Sequence, residues 1–268
     1  MREILVPWDS QPQEAVEVDW DNPITRGLAH LFVGPGQRSV LRGDVLTLSG
    51  VVEQRFVDGI AASYFSNSHL SETSIVQAVP LTLAAVGYVE NVSSSARTLV
   101  SIANPFADSN YFQLGTNTNG TIRVVARSSP QGYHASNTTN AVQLNRHFVA
   151  LGVYASESSR VAWLNGLKAA ANTVTVSPTN QTRTRYGSLA RSVAGDGMLG
   201  GIALAAIWGR ALTDDEAVSF SANPWQLFAP RTQYIPTASG VLVPTLSLST
   251  FVPGTLTASG WRPQVTTV

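Results

Sequence analysis

The clearest hydrophobic pattern in the chain is an apolar run that is followed by the signature of one short helix. Every residue of Ile202–Trp208 is apolar, which suits a central strand with both faces covered, and period two would put Ile202, Leu204, Ala206 and Trp208 on one face. Thr213 offers an N-cap hydroxyl, and Glu216 completes a capping box three residues later. Pro224 ends the helix because it lacks an amide donor. The pattern predicts a buried strand and a helix near residues 214–221.

Short runs with strand character recur upstream of this segment and are separated by turn residues. Asn165-Gly166 supplies the positive-φ pair of a hairpin turn. Short strands at regular spacing, without long helices between them, predict an all-β sandwich. The predicted strands are Leu81–Val89, Arg97–Ala103, Tyr111–Leu114, Thr121–Arg127, His147–Tyr154, Arg160–Leu164, Thr173–Val176 and Arg185–Leu189.

Composition and charge indicate a globular protein and argue against a nucleic-acid partner. The chain of 268 residues is 44% hydrophobic and 13% charged, which is typical of a globular protein. Its 17 basic and 17 acidic residues are scattered along the sequence, and without a basic stripe we expect no nucleic-acid partner. All basic residues except Lys168 are arginine. This bias has two readings, codon usage in a GC-rich genome or arginine pairing at interfaces.

The absence of cysteine excludes disulfides and thiolate metal sites. No run of eighteen apolar residues is present, so we expect no membrane insertion. The first residues lack the apolar region of a signal peptide. We therefore expect synthesis in a cytoplasm, with release by lysis if the protein acts outside the cell.

Three segments resemble a known family. FVALGVYASESSRVAWLNGLKA and GGIALAAIWGRALTDDEAVSFSANPWQLF are similar to parts of laminin-G and pentraxin-like, that is concanavalin A-like, jelly rolls. VDWDNPITRGLAHLFVGPG resembles the start of such domains in bacteriophage and prophage structural proteins. The resemblance implies two large antiparallel sheets and a carbohydrate or protein ligand. We predict an N-terminal arm over 1–19, the sandwich over 20–230, and a Pro/Ser/Thr-rich C-terminal extension over 231–268, extended or folded as a β-hairpin.

No motif supports catalysis. Glu17 and Asp19 begin the Glu-x-Asp-x-x-Glu strand of glycoside hydrolases with this fold, but Asn22 stands where the second glutamate would be. The four histidines (His30, His69, His134 and His147) show no metal-binding spacing. Some members of the family bind calcium, for which Asp58, Asp108 and Asp196 are conceivable ligands, but they form no recognisable loop. We expect no enzyme activity, no metal and no cofactor.

A polar stretch from residue 111 to 140 is the candidate ligand site. Tyr111, Tyr133, His134 and Asn137 combine aromatic rings with amide groups, and Tyr133-His134 is predicted in a loop after Pro130. Amides bond sugar hydroxyls while a ring covers the apolar face of a sugar. These four residues form the candidate glycan-binding loop, and ordinary surface-loop composition is the alternative explanation.

Assembly is the main functional expectation. Apolar residues alternate with hydroxyl residues in the C-terminal extension, as in strands that add to a neighbouring subunit. Docking of this extension on its own sandwich is the alternative. We expect a bacteriophage virion structural protein that contacts copies of itself and other virion proteins. A sugar-binding adhesin for host polysaccharide is the second hypothesis, and a glycan-cleaving enzyme is the third. The candidate assembly residues are Trp8, Trp20, Leu246, Leu248, Phe251, Leu256 and Trp261.

Overall fold

The computed structural model describes residues 11–12, 16–92, 96–129, 131–192 and 195–230. These residues form an all-β sandwich with one α-helix, which confirms the predicted fold class. The predictions on Trp8 and on the extension over 231–268 lie outside the described residues, and the domain boundaries stay predictions. Within the described ranges, no helix has the length and apolar character needed to cross a membrane.

The sandwich is built from seventeen described strands, one α-helix and two short 3-10 turns (Pro23–Thr25 and Pro224–Leu227). Most strands are nine residues long or fewer, as the spacing of turn residues predicts. The elements are β1 (Val16–Val18), β2 (Leu28–Val33), β3 (Thr47–Ser49), β4 (Val52–Val57), β5 (Ile60–Ser66), β6 (His69–Thr73), β7 (Leu81–Val89), β8 (Arg97–Ala103), β9 (Tyr111–Thr116), β10 (Thr121–Ser128), β11 (Gly132–Ala141), β12 (Phe148–Ser156), β13 (Ser159–Leu164), β14 (Leu167–Lys168), β15 (Arg183–Tyr186), β16 (Leu199–Trp208), α1 (Asp214–Ala222) and β17 (Phe228–Pro230).

Two large antiparallel sheets face each other. The seven-stranded sheet has the order β11-β10-β9-β8-β15-β6-β3. The eight-stranded sheet has the order β14-β13-β12-β7-β16-β5-β4, with β2 also paired to β16. β16 is central because its first half pairs with β5 and its second half with β2, while β7 lies along its other side.

The eight-stranded sheet is apolar on both faces. Its inner face packs against the seven-stranded sheet in one core, and its outer face packs in a second core under α1 and the N-terminal segment. Trp208 anchors the second core: it is fully buried, lies edge-on to Phe220 at 5.6 Å between ring centroids, and donates from Nε1 to the carbonyl oxygen of Ile24 at 2.7 Å. The predicted central strand is therefore confirmed.

The predicted helix is confirmed together with its caps. Thr213 Oγ1 accepts from the Glu216 amide, and Glu216 Oε2 accepts from the Thr213 amide, which completes the capping box. The Arg210 guanidinium forms a two-pronged ion pair with the same carboxylate, with both N–O distances 2.7 Å. These contacts lower the pKa of Glu216, Arg210 contributing most. The helix ends at Ala222, just before Asn223-Pro224.

The structure corrects several local predictions. Residues 173–176 form no strand, and β15 ends at Tyr186 because Gly187 adopts a φ of 86°. The strand pairing is irregular between Ile202 and Leu204, and the side chain of Ile202 therefore lies in the inner core. Ile202 does not share a face with Leu204 and Trp208, contrary to the predicted period of two. The Asn165-Gly166 turn is confirmed, with φ of 49° and 79°, and it joins β13 to β14.

Candidate functional site

The outer face of the seven-stranded sheet is polar and holds the candidate site. In β10, Ile122, Val124 and Ala126 enter the inner core, so the alternate residues Arg123 and Arg127 project outward. Strand pairing then places Tyr133, Arg127, Tyr111, Ala103, Arg183 and Thr73 in one row across six strands. Neighbours in such a row lie about 5 Å apart, so their side chains form one continuous surface.

Five residues at the β9–β11 end of this face form what we call the tyrosine patch: Tyr111, Arg123, Arg127, Tyr133 and Asn137. Arg127 is paired with Tyr111 on one side and Tyr133 on the other, and its Cζ lies 6.0 Å from the centroid of the Tyr111 ring. Arg123 Nη1 lies 3.4 Å from the Tyr133 hydroxyl oxygen. The patch therefore interleaves two phenol rings with two guanidinium groups.

Arg123 is held in place by Asp196. The Asp196 carboxylate forms an ion pair with Arg123 and accepts from the Gln113 amide at 3.3 Å. The side-chain amide of Asn117, in the turn after β9, donates to Asn137 Oδ1 in β11 at 3.0 Å. These contacts fix the polar side chains of the patch before any ligand arrives, which lowers the entropy cost of binding.

The two tyrosines of the patch differ in exposure. Tyr133 is 45% exposed, and desolvation of its hydroxyl end raises its pKa. Tyr111 is only 3% exposed and packs with Leu189 and Ala190 in a small apolar cluster. Tyr133, and not Tyr111, therefore presents a ring to solvent.

A loop divides the outer face into two parts. The Ser101 hydroxyl donates to the carbonyl oxygen of Ser188 at 2.8 Å and accepts from the Ala190 amide at 2.9 Å. These bonds pin residues 188–190 over β8, in the middle of the sheet. The tyrosine patch lies on one side of this loop, and a second site lies on the other.

The second site is a cleft of about 570 Å³ that we call the arginine cleft. It is bordered by β3, β6, β15 and the loop after β8, where the Phe106 ring is 88% exposed. Arg185 Nη1 donates to the carbonyl oxygen of Leu189 at 2.9 Å, whereas its Nε is buried without a hydrogen-bond partner. The residues that line the cleft include Thr47, His69, Ser71, Glu72, Thr73, Phe106, Arg183 and Arg185.

Positive charge dominates the arginine cleft. Among the described residues, neither Arg183 nor Arg185 takes part in an ion pair. Burial, together with the charges of Arg185 and Arg183, lowers the pKa of His69 to about 4. The carboxylate of Glu72 belongs to the opposite face of β6, where its Oε1 lies 3.0 Å from His30 Nδ1 and accepts from the Tyr186 hydroxyl.

The sequence predicts only part of this surface. Tyr111, Tyr133 and Asn137 do come together, but His134 projects from the opposite face of β11, where it is paired with Ala126. The predicted loop around Tyr133 is wrong, because Gly132–Ala141 forms an edge strand. The arginines were missed although their alternation was visible, as in the Thr-Arg-Thr-Arg order of residues 182–185.

The aspartates considered for calcium are engaged at separate places. Asp58 pairs with Arg146 at 3.0 Å, Asp108 accepts from the Ser192 hydroxyl, and Asp196 pairs with Arg123. The described residues contain no group of three or more His, Cys, Asp or Glu side chains arranged to hold a metal ion.

The carboxylates at the chain start have structural positions. Asp19 Oδ1 accepts from the amides of Asp21 and Asn22 at 3.1 and 3.2 Å, and Glu17 lies in the small β1–β17 sheet opposite Ala229. Of the assembly candidates, Trp20 falls within the described residues, and it is 64% exposed.

Comparison with known proteins places the fold. Residues 63–218 match the family described as the concanavalin A-like lectin/glucanases superfamily, Laminin_G_3. No curated protein sequence matches the chain at a significant level.

Three solved structures share the fold at low sequence identity. Domain 4 of AbnA, an extracellular arabinanase from Geobacillus stearothermophilus determined with arabinotriose, aligns with a TM-score of 0.60 and 12% identity over 73% of this chain and 98% of that domain. The binding domain of Paraclostridial Mosquitocidal Protein 1 aligns with a TM-score of 0.53 and 10% identity, over 74% of this chain and 52% of that one. Trypanosoma rangeli sialidase aligns with a TM-score of 0.52 and 13% identity, over 74% of this chain and 33% of that one.

Proposed function

Because the chain belongs to the concanavalin A-like lectin/glucanases superfamily, we propose that it is a carbohydrate-binding domain that recognises host surface polysaccharide through the tyrosine patch. The observation that carries the proposal is the half-exposed ring of Tyr133 beside Arg127 and Asn137 on one sheet face. The solved structure of the arabinanase domain in complex with arabinotriose supports a glycan ligand, since that domain aligns over nearly its whole length.

The chemistry of the patch suits a sugar. The Tyr133 ring covers the apolar face of a sugar ring, while the Asn137 amide and the Arg127 guanidinium bond its hydroxyl groups. Arg123 supports this arrangement because its ion pair with Asp196 holds the guanidinium against the Tyr133 hydroxyl. We propose binding without cleavage, because the Asp196 carboxylate at this surface is already neutralised by Arg123.

The proposal is tested by glycan binding in solution. The intact protein is screened against a panel of neutral and acidic bacterial polysaccharides, and hits are measured by titration calorimetry. Tyr133→Ala should weaken the best ligand by at least about fivefold. Phe56→Ala is the matched control, because Phe56 is an exposed aromatic residue of β4 in the other sheet.

Two outcomes would contradict this proposal. Equal losses in Tyr133→Ala and Phe56→Ala would show that the patch is not the binding surface. Release of reducing ends from a bound polysaccharide would show that the domain cleaves its ligand.

A second candidate function is assembly into a bacteriophage virion, and exposure of Trp20 favours it. An indole ring that is 64% exposed is costly in water and is typical of a contact with a partner. We propose that this part of the chain, together with the C-terminal extension, contacts copies of the protein or other virion proteins. The virion would then be the place where the protein acts.

The assembly proposal is tested by oligomeric state. Trp20→Ala and deletion of residues 236–268 should each lower the mass of the assembly seen by light scattering, or its incorporation into particles, while the melting temperature stays near native. A monomeric intact chain at micromolar concentration whose sandwich unfolds on truncation would contradict it.

A further inference from the structure

We infer that the arginine cleft is a subsite for the anionic group of an acidic sugar, such as the carboxylate of a uronic acid. This inference rests on the proposed glycan binding and adds the charge class of the ligand. The cleft lies on the same outer face as the tyrosine patch, beyond the loop that crosses β8.

Two arginine charges lie side by side in the cleft. Arg183 and Arg185 are two positions apart in β15, so both project from the same face, with about 7 Å between their Cα atoms. Two guanidinium groups at this separation repel each other, and no described carboxylate pairs with either. An anion bound between them removes this repulsion, and a guanidinium fork matches the geometry of a carboxylate.

The charge of Arg185 occupies a largely buried position. The residue is 92% buried, and its Nε has no hydrogen-bond partner although Nη1 is satisfied by Leu189. A largely buried guanidinium without a described counter-ion is costly, and an anion bound in the cleft offsets its charge. The carboxylate of Glu72 does not serve, because it belongs to the other face of β6 and is held there by His30 and Tyr186.

The other residues of the cleft suit the sugar that bears the anion. The Phe106 ring is almost fully exposed at the rim and offers a flat apolar surface. Thr47, Ser71 and Thr73 line the cleft and offer hydroxyl groups for the hydroxyls of the ligand. An inorganic anion would use the arginines alone, whereas an acidic sugar uses the whole cleft.

The test compares matched charged and neutral sugars on the intact protein. The probes are methyl β-D-glucuronoside, its methyl ester, and methyl glucoside 6-sulfate, each titrated by NMR at low salt. We expect the glucuronoside to bind at least about tenfold more tightly than the ester, because the ester lacks the charge-assisted bonds. Tighter binding of the sulfate would assign the anion as sulfate, and tighter binding of the glucuronoside would assign it as carboxylate.

Three variants locate the binding. Arg183→Gln should lower the affinity for the acidic sugar about tenfold, and Phe106→Ala should lower it without changing the binding of inorganic sulfate. Arg146→Gln is the matched control, since Arg146 is an exposed arginine between β11 and β12 that pairs with Asp58. The Arg183 side chain makes no hydrogen bond to the described part of the protein, so Arg183→Gln should remain folded. Circular dichroism of the variant checks this.

His69 reports on the cleft directly. Burial lowers the pKa of His69 to about 4, and the charges of Arg185 and Arg183 add to this shift. An anion bound between the two arginines offsets their charges, so the pKa of His69 should rise on saturation with the glucuronoside. An unchanged His69 titration, or equal binding of acid and ester, would overturn the inference.

The outcomes also separate the two proposals. If neutral polysaccharide binds through Tyr133 while the glucuronoside and its methyl ester bind equally, the proposed anionic subsite is wrong and the proposed glycan binding is supported. If the glucuronoside binds through Arg183 and Tyr133→Ala changes the affinity for no polysaccharide, the proposed role of the tyrosine patch is wrong and the anionic subsite is supported. If no sugar of either charge binds, both are lost.

Discussion

The two sheets treat their outer faces in opposite ways. The outer face of the eight-stranded sheet is buried beneath α1, with Trp208, Phe220 and Trp225 in a second apolar core. The outer face of the seven-stranded sheet presents two pairs of arginines, at 123 and 127 in β10 and at 183 and 185 in β15. Burial of apolar area stabilises the first face, whereas the second keeps charge and aromatic rings within reach of a ligand.

This difference predicts which substitutions should change stability and which should change binding. A residue of the covered face is buried in the second core, so its loss should lower the free energy of unfolding. A residue of the open face touches fewer partners, so its loss should alter binding and leave the fold intact. Four measurements test this division.

Trp208→Ala should destabilise the protein by about 3–5 kcal/mol, the range for a large aromatic residue truncated in a core. The substitution removes the contact with Phe220 and leaves the carbonyl oxygen of Ile24 without its indole donor. Chemical denaturation of the purified variant measures the loss. A change below about 1 kcal/mol would show that the covered face is not the stabilising one.

Two buried histidines should respond differently to salt. The pKa of His147 and that of His69 are both lowered to about 4, mainly by burial, but Arg185 and Arg183 contribute for His69 while Asp58 opposes the shift for His147. Salt at about 1 M screens the arginine charges. The pKa of His69 should therefore rise in salt by more than that of His147, as NMR titration can measure. Equal responses would show that the arginines do not act on His69.

The same groups give stability a pH dependence of known sign. A histidine whose pKa is lower in the folded state binds fewer protons there, so its contribution is complete above about pH 6.5 and is lost as the pH falls toward 4. For His147 the expected loss is about 3 kcal/mol. Denaturation at pH 7 and pH 4 should show a smaller difference in His147→Gln than in the parent chain, and an unchanged difference would contradict this assignment.

Arg127→Ala should change the free energy of unfolding by less than about 1 kcal/mol, because its contact with the Tyr111 ring is long and partly solvated. Glycan affinity should fall in the same variant. Denaturation and calorimetry on one preparation check both. A loss of stability comparable to that of Trp208→Ala would remove the distinction between the two faces.

The regular strands and the helix could be predicted from the sequence because buried positions carry apolar residues in a recognisable pattern. β7 and β8 have the predicted bounds, and the capping box of α1 is visible in the order of Thr213 and Glu216. β11 was missed because its Asn, Ser and Thr residues resemble loop composition, although Ser136 and Thr138 are buried in the strand. An edge strand needs apolar character on one side only, and its pairing with β10 supplies what its own sequence does not.

The candidate site was harder to predict because it is assembled across strands. Tyr133 and Arg183 are far apart in sequence, yet they fall in one row through the pairing of five strands. A single sequence gives the direction of each side chain by alternation, but not which strands are neighbours. The exposure of Phe106 likewise depends on how the loop after β8 lies against β15, which no local pattern encodes.

The exchange of partners along β16 has a consequence for how the chain folds during synthesis. Trp208 donates a hydrogen bond to Ile24, which is 184 positions earlier in the sequence. β2, β5 and β7 each pair with β16, so their sheet is incomplete until β16 has been synthesised. While residues 199–208 are still inside the ribosome, these earlier strands have exposed edges that invite pairing with other chains. Contacts this distant in sequence also slow folding, because the loop must close before they form. Pausing translation before Leu199 should therefore leave a nascent chain that is sensitive to protease and bound by chaperones, and completing β16 should release it.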